Sequence, residues 1–218
     1  MADRGLFITF EGIEGSGKTS QIRRLGERLL RLGQRVVVTR EPGGCPIADD
    51  IRRILLHPDS SALVPRAELL LYAAARAQHV EEVIRPGLAG GAIVLCDRFT
   101  DATLAYQGGG RGLDRTLITE LNTLATSGIL PDLTLLLDLP AADGLLRAHA
   151  RNEALALHEE GRFEAEHLDF HCRVRQGYLD LALATPRFAV IDATGTRATV
   201  EAQIDHVVAQ RFGLRVRP

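Results

Sequence analysis

The chain has 218 residues, 45% hydrophobic and 25% charged, with a formal net charge of −2; this balance fits one globular domain with a sizeable core. A pI of about 6.4 leaves no basic excess of the kind that marks nucleic-acid binding. Cys45, Cys96 and Cys172 are odd in number, far apart and never in a C-x-x-C pair, so they read as reduced thiols, and with no apolar run long enough for a signal or a membrane span, a cytoplasmic setting is expected.

In chain order, a short apolar run at 6–10 leads into the stretch FEGIEGSGKTS, and a helical pattern follows. Ile22, Leu25, Leu29 and Leu32 recur there every three or four residues among Arg23, Arg24, Glu27 and Arg28, and Gly33 supplies the stop. Further apolar runs fall at 35–39, 92–96, 133–139 and 188–191. None alternates with polar residues, which suits strands buried on both faces of a parallel sheet. Helical patterns occupy 69–88, 113–125, 165–184 and 199–212. Strands alternating with helices imply βαβ units and a doubly wound α/β fold, a five-stranded parallel sheet with helices on both faces. The whole span 1–218 reads as a single domain. Its least regular stretch, RAHARNEALALHEEGRFEAE at 147–166, is crowded with charges and histidines and is a candidate mobile lid.

Gly12, Gly17, Lys18 and Thr19 fit G-x-x-x-x-G-K-[ST], in the strand–loop–helix context that makes this phosphate-loop motif credible. Glycines let backbone N–H groups turn towards phosphate oxygens, and the helix starting near Lys18 points its positive end at the anion. The expected ATP-binding residues are therefore Gly12, Ile13, Glu14, Gly15, Ser16, Gly17, Lys18 and Thr19. Lys18 reaches the β- and γ-phosphates in this reading, and the Thr19 hydroxyl ligates Mg²⁺. The motif alone does not separate kinase, GTPase and motor.

A second signal is LCDRFTDATLAYQGGGR, residues 95–111. Asp97 falls at the carboxyl end of the third apolar run, the edge where ligands gather in open α/β sheets, and can hold water on Mg²⁺. A strand-end Asp capping the next turn is the bland alternative. Arg98 follows at once, on the opposite face of the strand end, where its planar fork suits a second phosphate belonging to an acceptor.

The chain resembles thymidylate kinases, among the nucleoside monophosphate kinases. The resemblance rests on FEGIEGSGKTS, TREPGG, LLLYAAARAQHVEEVIRPGL, DRFTDATLAYQGGGRG, PDLTLLLDLP, GRFE and VIDAT, which occur in the expected order over nearly the whole chain. It implies a P-loop fold with a short lid, transfer of the ATP γ-phosphate to dTMP with Mg²⁺, and a homodimer built through packed helices. Tyr72 matches the aromatic that stacks on thymine, a position more often Phe in the family, and Arg76, one helical turn on, matches the arginine on the base carbonyl. Thr103 and Gln107 match polar contacts to the base, and Tyr106 matches the residue against the sugar. Glu14 matches the acid near the 3′-hydroxyl, and Arg98, assisted by Arg52, the arginine on the acceptor phosphate. Pro42 helps close the pocket. Some relatives carry a catalytic arginine inside the phosphate loop. Here positions 13–16 are Ile, Glu, Gly and Ser, so the resemblance implies that the lid supplies it, with Arg147, Arg151 and Arg162 as candidates. Departures from the family pattern are the long acidic NEALALHEEG, Cys45 in place of a common threonine, and Ala102 in place of a common serine.

Several residues carry plainer readings. Tyr72 alone reads as core. His167, His171 and Cys172 have metal-like spacing, but an exposed helix face explains them better. Asp138 and Asp192 end strands; the first reads as a cap before a second metal-associated carboxylate, and the second lies where the family places the adenine loop. Gly108–Gly110 with Arg111 reads as a flexible turn beside the base pocket. Two other functions stay open at this stage: a deoxynucleoside kinase, which takes an acceptor without phosphate, and a nucleotide-dependent switch, which has a partner surface instead of a base pocket.

Overall fold

The five apolar runs become five strands. A computed structural model describes residues 4–155 and 161–214. In order these form β1 (Phe7–Glu11), α1 (Lys18–Arg31), β2 (Val36–Arg40), α2 (Pro46–Leu56), α3 (Pro65–His79), α4 (Arg85–Ala89), β3 (Ile93–Asp97), α5 (Thr100–Thr103), α6 (Arg115–Thr126), β4 (Leu133–Asp138), α7 (Ala141–Leu155), α8 (Leu168–Ala184), β5 (Phe188–Asp192) and α9 (Arg197–Phe212). All strand pairs are parallel, in the order β2-β3-β1-β4-β5.

Alternate residues of the central strands feed different cores. Ile8, Phe10, Leu95, Leu135 and Leu137 pack with Ile22, Leu25 and Leu29 of α1 and Val200, Ile204 and Val208 of α9. On the other face, Phe7, Val94 and Cys96 meet Val80, Ile84, Leu88 and Phe99. The central strands β1, β3 and β4 have helices on both sides and no solvent face, which is why polar alternation is missing from their sequence. β2 lies at one edge and is only partly buried.

Two helical segments are wider than the periodicity predicts. The expected helix at 69–88 begins at Pro65 and passes through π-helical turns at Val80–Ile84 before α4. The glycines expected in a flexible turn continue α5 as a second π-helical stretch, Leu104–Gly110. The stretch at 147–166 is irregular only in part. Its first residues complete α7, residues 156–160 lie outside the described segments, and Gly161 onward leads into α8. Among the described residues, no helix is long and apolar enough to cross a membrane.

Candidate active site

The phosphate loop is held by backbone that excludes side chains. Gly12, Gly15 and Gly17 all have positive φ. A Cβ on Gly12 would lie 2.5 Å from the Leu137 carbonyl oxygen, and one on Gly15 would lie 2.1 Å from that of Gly144 in α7. α7 thus rests directly on the loop. Lys18 is buried and donates to the carbonyl oxygens of Gly12 (3.0 Å) and Ile13 (2.9 Å). Burial, reinforced by Arg98, lowers its ammonium to about 8. The Thr19 hydroxyl donates to Asp97 Oδ2 at 2.9 Å, so the two expected metal-associated residues share one corner.

Arg98 turns the other way. Its φ of 68° is a left-handed conformation that non-glycine residues rarely adopt. This turn sends Arg98 beneath the loop, where Nη1 donates to the Gly12 carbonyl oxygen (2.9 Å) and to the Tyr178 hydroxyl (3.1 Å). Nη2 donates to Glu14 Oε1 at 3.0 Å, and the guanidinium lies 4.8 Å from the Tyr106 ring centre. Glu14 Oε1 also accepts from the Tyr106 hydroxyl at 2.6 Å. Burial opposes charge on Glu14, yet Arg98, His171, Lys18 and Tyr106 together hold its carboxyl well below the usual range.

One cleft of about 1110 Å³ joins these groups to Pro42, Arg52, Tyr72, Arg76, Thr103, Tyr106 and Gln107. Arg52 donates to the Pro42 carbonyl oxygen at 2.9 Å. Arg76 is aimed by three partners: Nε donates to Glu41 (2.7 Å), Nη1 to Asn122 (2.7 Å) and Nη2 to the Phe99 carbonyl oxygen (3.0 Å). A guanidinium has five N–H groups, so this clamp leaves donors for a ligand. The Thr103 hydroxyl is buried without a hydrogen-bond partner. Tyr72 lines the cleft and packs on the aromatic cluster beneath it.

The three candidate arginines separate. Arg147 donates to the carbonyl oxygens of Ala193 (3.1 Å) and Thr194 (3.5 Å), in the VIDAT loop. Arg151, one turn further along α7, pairs with Glu164 at 3.2 Å, and both arginines line the cleft. Arg162 does not. It is buried, donates to the Leu55 carbonyl oxygen and pairs with Glu68 at 2.7 Å. Gln107 likewise turns its amide N–H group to Glu68, at 2.8 Å.

The sequence model of the thymidylate kinase family matches residues 10–204. The chain belongs to the thymidylate kinase family. It is 66% identical over 191 residues to a thymidylate kinase of Syntrophotalea carbinolica, covering 87% of this chain and 88% of that one. It is 65% identical over 203 residues to one of Geobacter sulfurreducens, covering 92% and 95%. A crystal structure of the Ehrlichia chaffeensis thymidylate kinase superposes with a TM-score of 0.76 at 34% identity, covering 94% of this chain and 99% of that one. The chain is accordingly a thymidylate kinase-type phosphotransferase of nucleotide biosynthesis.

Within this thymidylate kinase fold several expectations need correction. His171 is wholly buried, not on an exposed face. It lies on the α8 stripe with Val174, Tyr178 and Leu181, whose three- and four-residue spacing is the signal that could have found it. His167 falls outside that stripe and is exposed. Asp138 gives both its oxygens to Arg175, at 2.7 and 2.8 Å, in place of the expected cap. Asp192 accepts from its own loop at Thr194. No group of three potential metal ligands occurs among the described His, Cys, Asp and Glu residues. The sequence reading missed Glu41, Glu68 and Glu11, all buried acids that orient other groups. Glu11 accepts from Phe99 N–H and the Tyr178 hydroxyl, while burial and nearby Asp101 push its carboxyl up to about 8.

Proposed function

We propose that this chain transfers the γ-phosphate of ATP to dTMP, with Arg151 supplying the positive charge that stabilises the transferring group. The observation that carries the reading is the split at the end of β3. Asp97 meets Thr19 on the phosphate-loop side, while Arg98 meets Glu14 and Tyr106 in the adjoining pocket. Donor and acceptor charges are thereby separated by one residue within a single cleft. Thr19 and Asp97 offer two hard oxygens beside the loop, suited to Mg²⁺, which binds few protein ligands and keeps several waters. When bound, Mg²⁺ neutralises charge on the β- and γ-phosphates.

The chain's own residues divide the remaining work. Lys18 and the loop amides hold the ATP phosphates, and Arg98, helped by Arg52, holds the dTMP phosphate. Tyr72 stacks on thymine, Arg76 donates to its carbonyl, and Thr103 and Gln107 border the base. Tyr106 lies against the sugar, Glu14 sits near its 3′-hydroxyl, and Pro42 closes the pocket. Arg147 belongs to the adenine side, because it is tied to the loop at Ala193 and Thr194. Arg151 remains for the transferring phosphoryl group, where positioned charge acts most strongly. Exposed Leu70 on α3 and Leu117 and Leu124 on α6 suit a homodimer through these helices.

The test is ADP formation with ATP and Mg²⁺, comparing no acceptor, thymidine, dTMP, dUMP and dCMP. The reading expects strong turnover with dTMP and dTDP as product. A response to thymidine alone would make it a nucleoside kinase, and slow hydrolysis indifferent to acceptor would make it a switch.

A further inference from the structure

The scheme above gives wholly buried His171 no task. Its Nε2 lies 3.0 Å from the Phe163 carbonyl oxygen, at the base of the lid segment, and its Nδ1 lies 3.2 Å from Glu14 Oε2. The second contact is too bent for a straight hydrogen bond, but neither atom has another hydrogen-bond partner. Both neighbours of the ring are acceptors. A neutral imidazole has one N–H, so either tautomer would aim a lone pair at an acceptor, whereas an imidazolium satisfies both. His79, equally buried, makes the contrast. It faces Glu41 Oε1 at 3.0 Å and the Thr39 hydroxyl at 2.6 Å, and since a hydroxyl can donate, a neutral ring suffices there.

We propose that His171 is a positioning residue, an imidazolium strut that fixes the Glu14 carboxylate through Nδ1–H and the lid base at Phe163 through Nε2–H. The proposal rests on the reading of Arg98 and Glu14 as acceptor-site residues. Held this way, Glu14 gives Arg98 and the Tyr106 hydroxyl only one oxygen, Oε1. Without the strut the carboxylate can turn and take the Arg98 fork with both oxygens, in competition with the acceptor phosphate. The other charged or titratable groups around this pair are Lys18 from the phosphate loop, Arg98 from the end of β3, Tyr106 from the π-helical stretch and Tyr178 from α8.

Two substitutions separate positioning from packing. A Gln amide nitrogen falls near the histidine Nε2 position, and an Asn amide nitrogen falls near Nδ1. We expect H171Q to raise the KM for dTMP about tenfold, the effect of one lost hydrogen bond to a charged group, with kcat and the KM for ATP within about twofold. H171N, which restores a donor to Glu14, is expected to recover the KM for dTMP to within about threefold of the parent. Equal losses in both variants, or KM shifts for both substrates alike, would overturn the proposal. Independently, ¹⁵N NMR of the unmodified protein at neutral pH should find both His171 nitrogens protonated, and a single protonated nitrogen would overturn it whether or not the variants fold. Failure of the functional reading itself would look different: the parent enzyme would make no dTDP, while the NMR result would still decide the state of His171.

Discussion

Arg98 meets a backbone requirement, a loop carbonyl, a carboxylate and an aromatic face with one side chain. Strained left-handed backbone at a non-glycine residue persists where its surroundings over-determine it, and here it accompanies a guanidinium seated on the Gly12 carbonyl oxygen and Glu14. Arg98→Ala should raise the KM for dTMP about 10- to 100-fold, the usual effect of losing hydrogen bonds to a charged group. Steady-state kinetics with each substrate varied in turn would check this, and an equal rise in the KM for ATP would contradict it. Arg151 and Arg162, eleven positions apart, should fail in opposite ways. Arg151→Ala should lower kcat by about 10³-fold with the fold intact, as removal of a transition-state arginine does. Arg162→Ala leaves Glu68 buried with a partner missing and should cost about 2–4 kcal/mol in urea unfolding while kcat survives. If Arg162→Ala abolishes turnover without loss of stability, the roles are reversed. Sequence made Lys18 and Thr19 legible because the loop motif fixes them by short-range spacing, and Asp97 because it ends an apolar run that pairs beside β1. Arg162 and Gln107 were less legible because each is turned by Glu68, a buried acid on a distant helix that no local motif announces.

At the scale of elements, the strands were readable for the reason that makes them buried. β1, β3 and β4 stand between two layers of helices, so their apolar runs are nearly continuous, and their boundaries moved by only a residue or so. Segments with two kinds of neighbour were harder. The π-helical turns at Val80–Ile84 and Leu104–Gly110 shift the buried face partway along, so one periodicity does not describe them. α2 went unread because its apolar residues face a small cluster around Cys45, Ala48 and Ala75. The end of β1 carries its own consequence. Free glutamate titrates near 4.5, while Glu11 in the fold holds its proton up to about 8. Between those values the unfolded chain binds fewer protons than the folded one, so this group's contribution to stability falls as pH rises through the window. Glu11→Gln cannot titrate, and its Tm should fall less than the parent's between about pH 5 and pH 8. Parallel melting curves would mean that Glu11 is ionised in the fold.

For the whole molecule, the topology puts β3 and β4 on either side of β1, so the phosphate loop and the Asp97–Arg98 turn open on the same edge. In the proposed reaction, the donor and acceptor halves of the cleft would both follow from this one sheet edge. The proposed homodimer would draw its surface from α3 and α6, where Leu124 is 77% exposed. Leu124→Asp should reduce the mass measured by light scattering to that of one chain, 23.7 kDa. A parent already at that mass would remove the dimer, and an unchanged assembly would move its interface elsewhere.

The contact between Gly15 and Gly144 reaches beyond the enzyme's chemistry into its tolerance of mutation. Main chain occupies the space where either side chain would begin: a Cβ on Gly144 would come within 2.6 Å of the Glu14 carbonyl oxygen, and one on Gly15 would come closer still to that of Gly144. In a saturation screen for growth, position 144 should therefore score as intolerant as Lys18, although glycine has no side chain to take part in the reaction. A pairwise library at 15 and 144 should recover no compensating pairs, because the obstacle is main chain, which substitution does not remove. Lineages that differ in everything else along α7 would still be bound to keep these two positions bare.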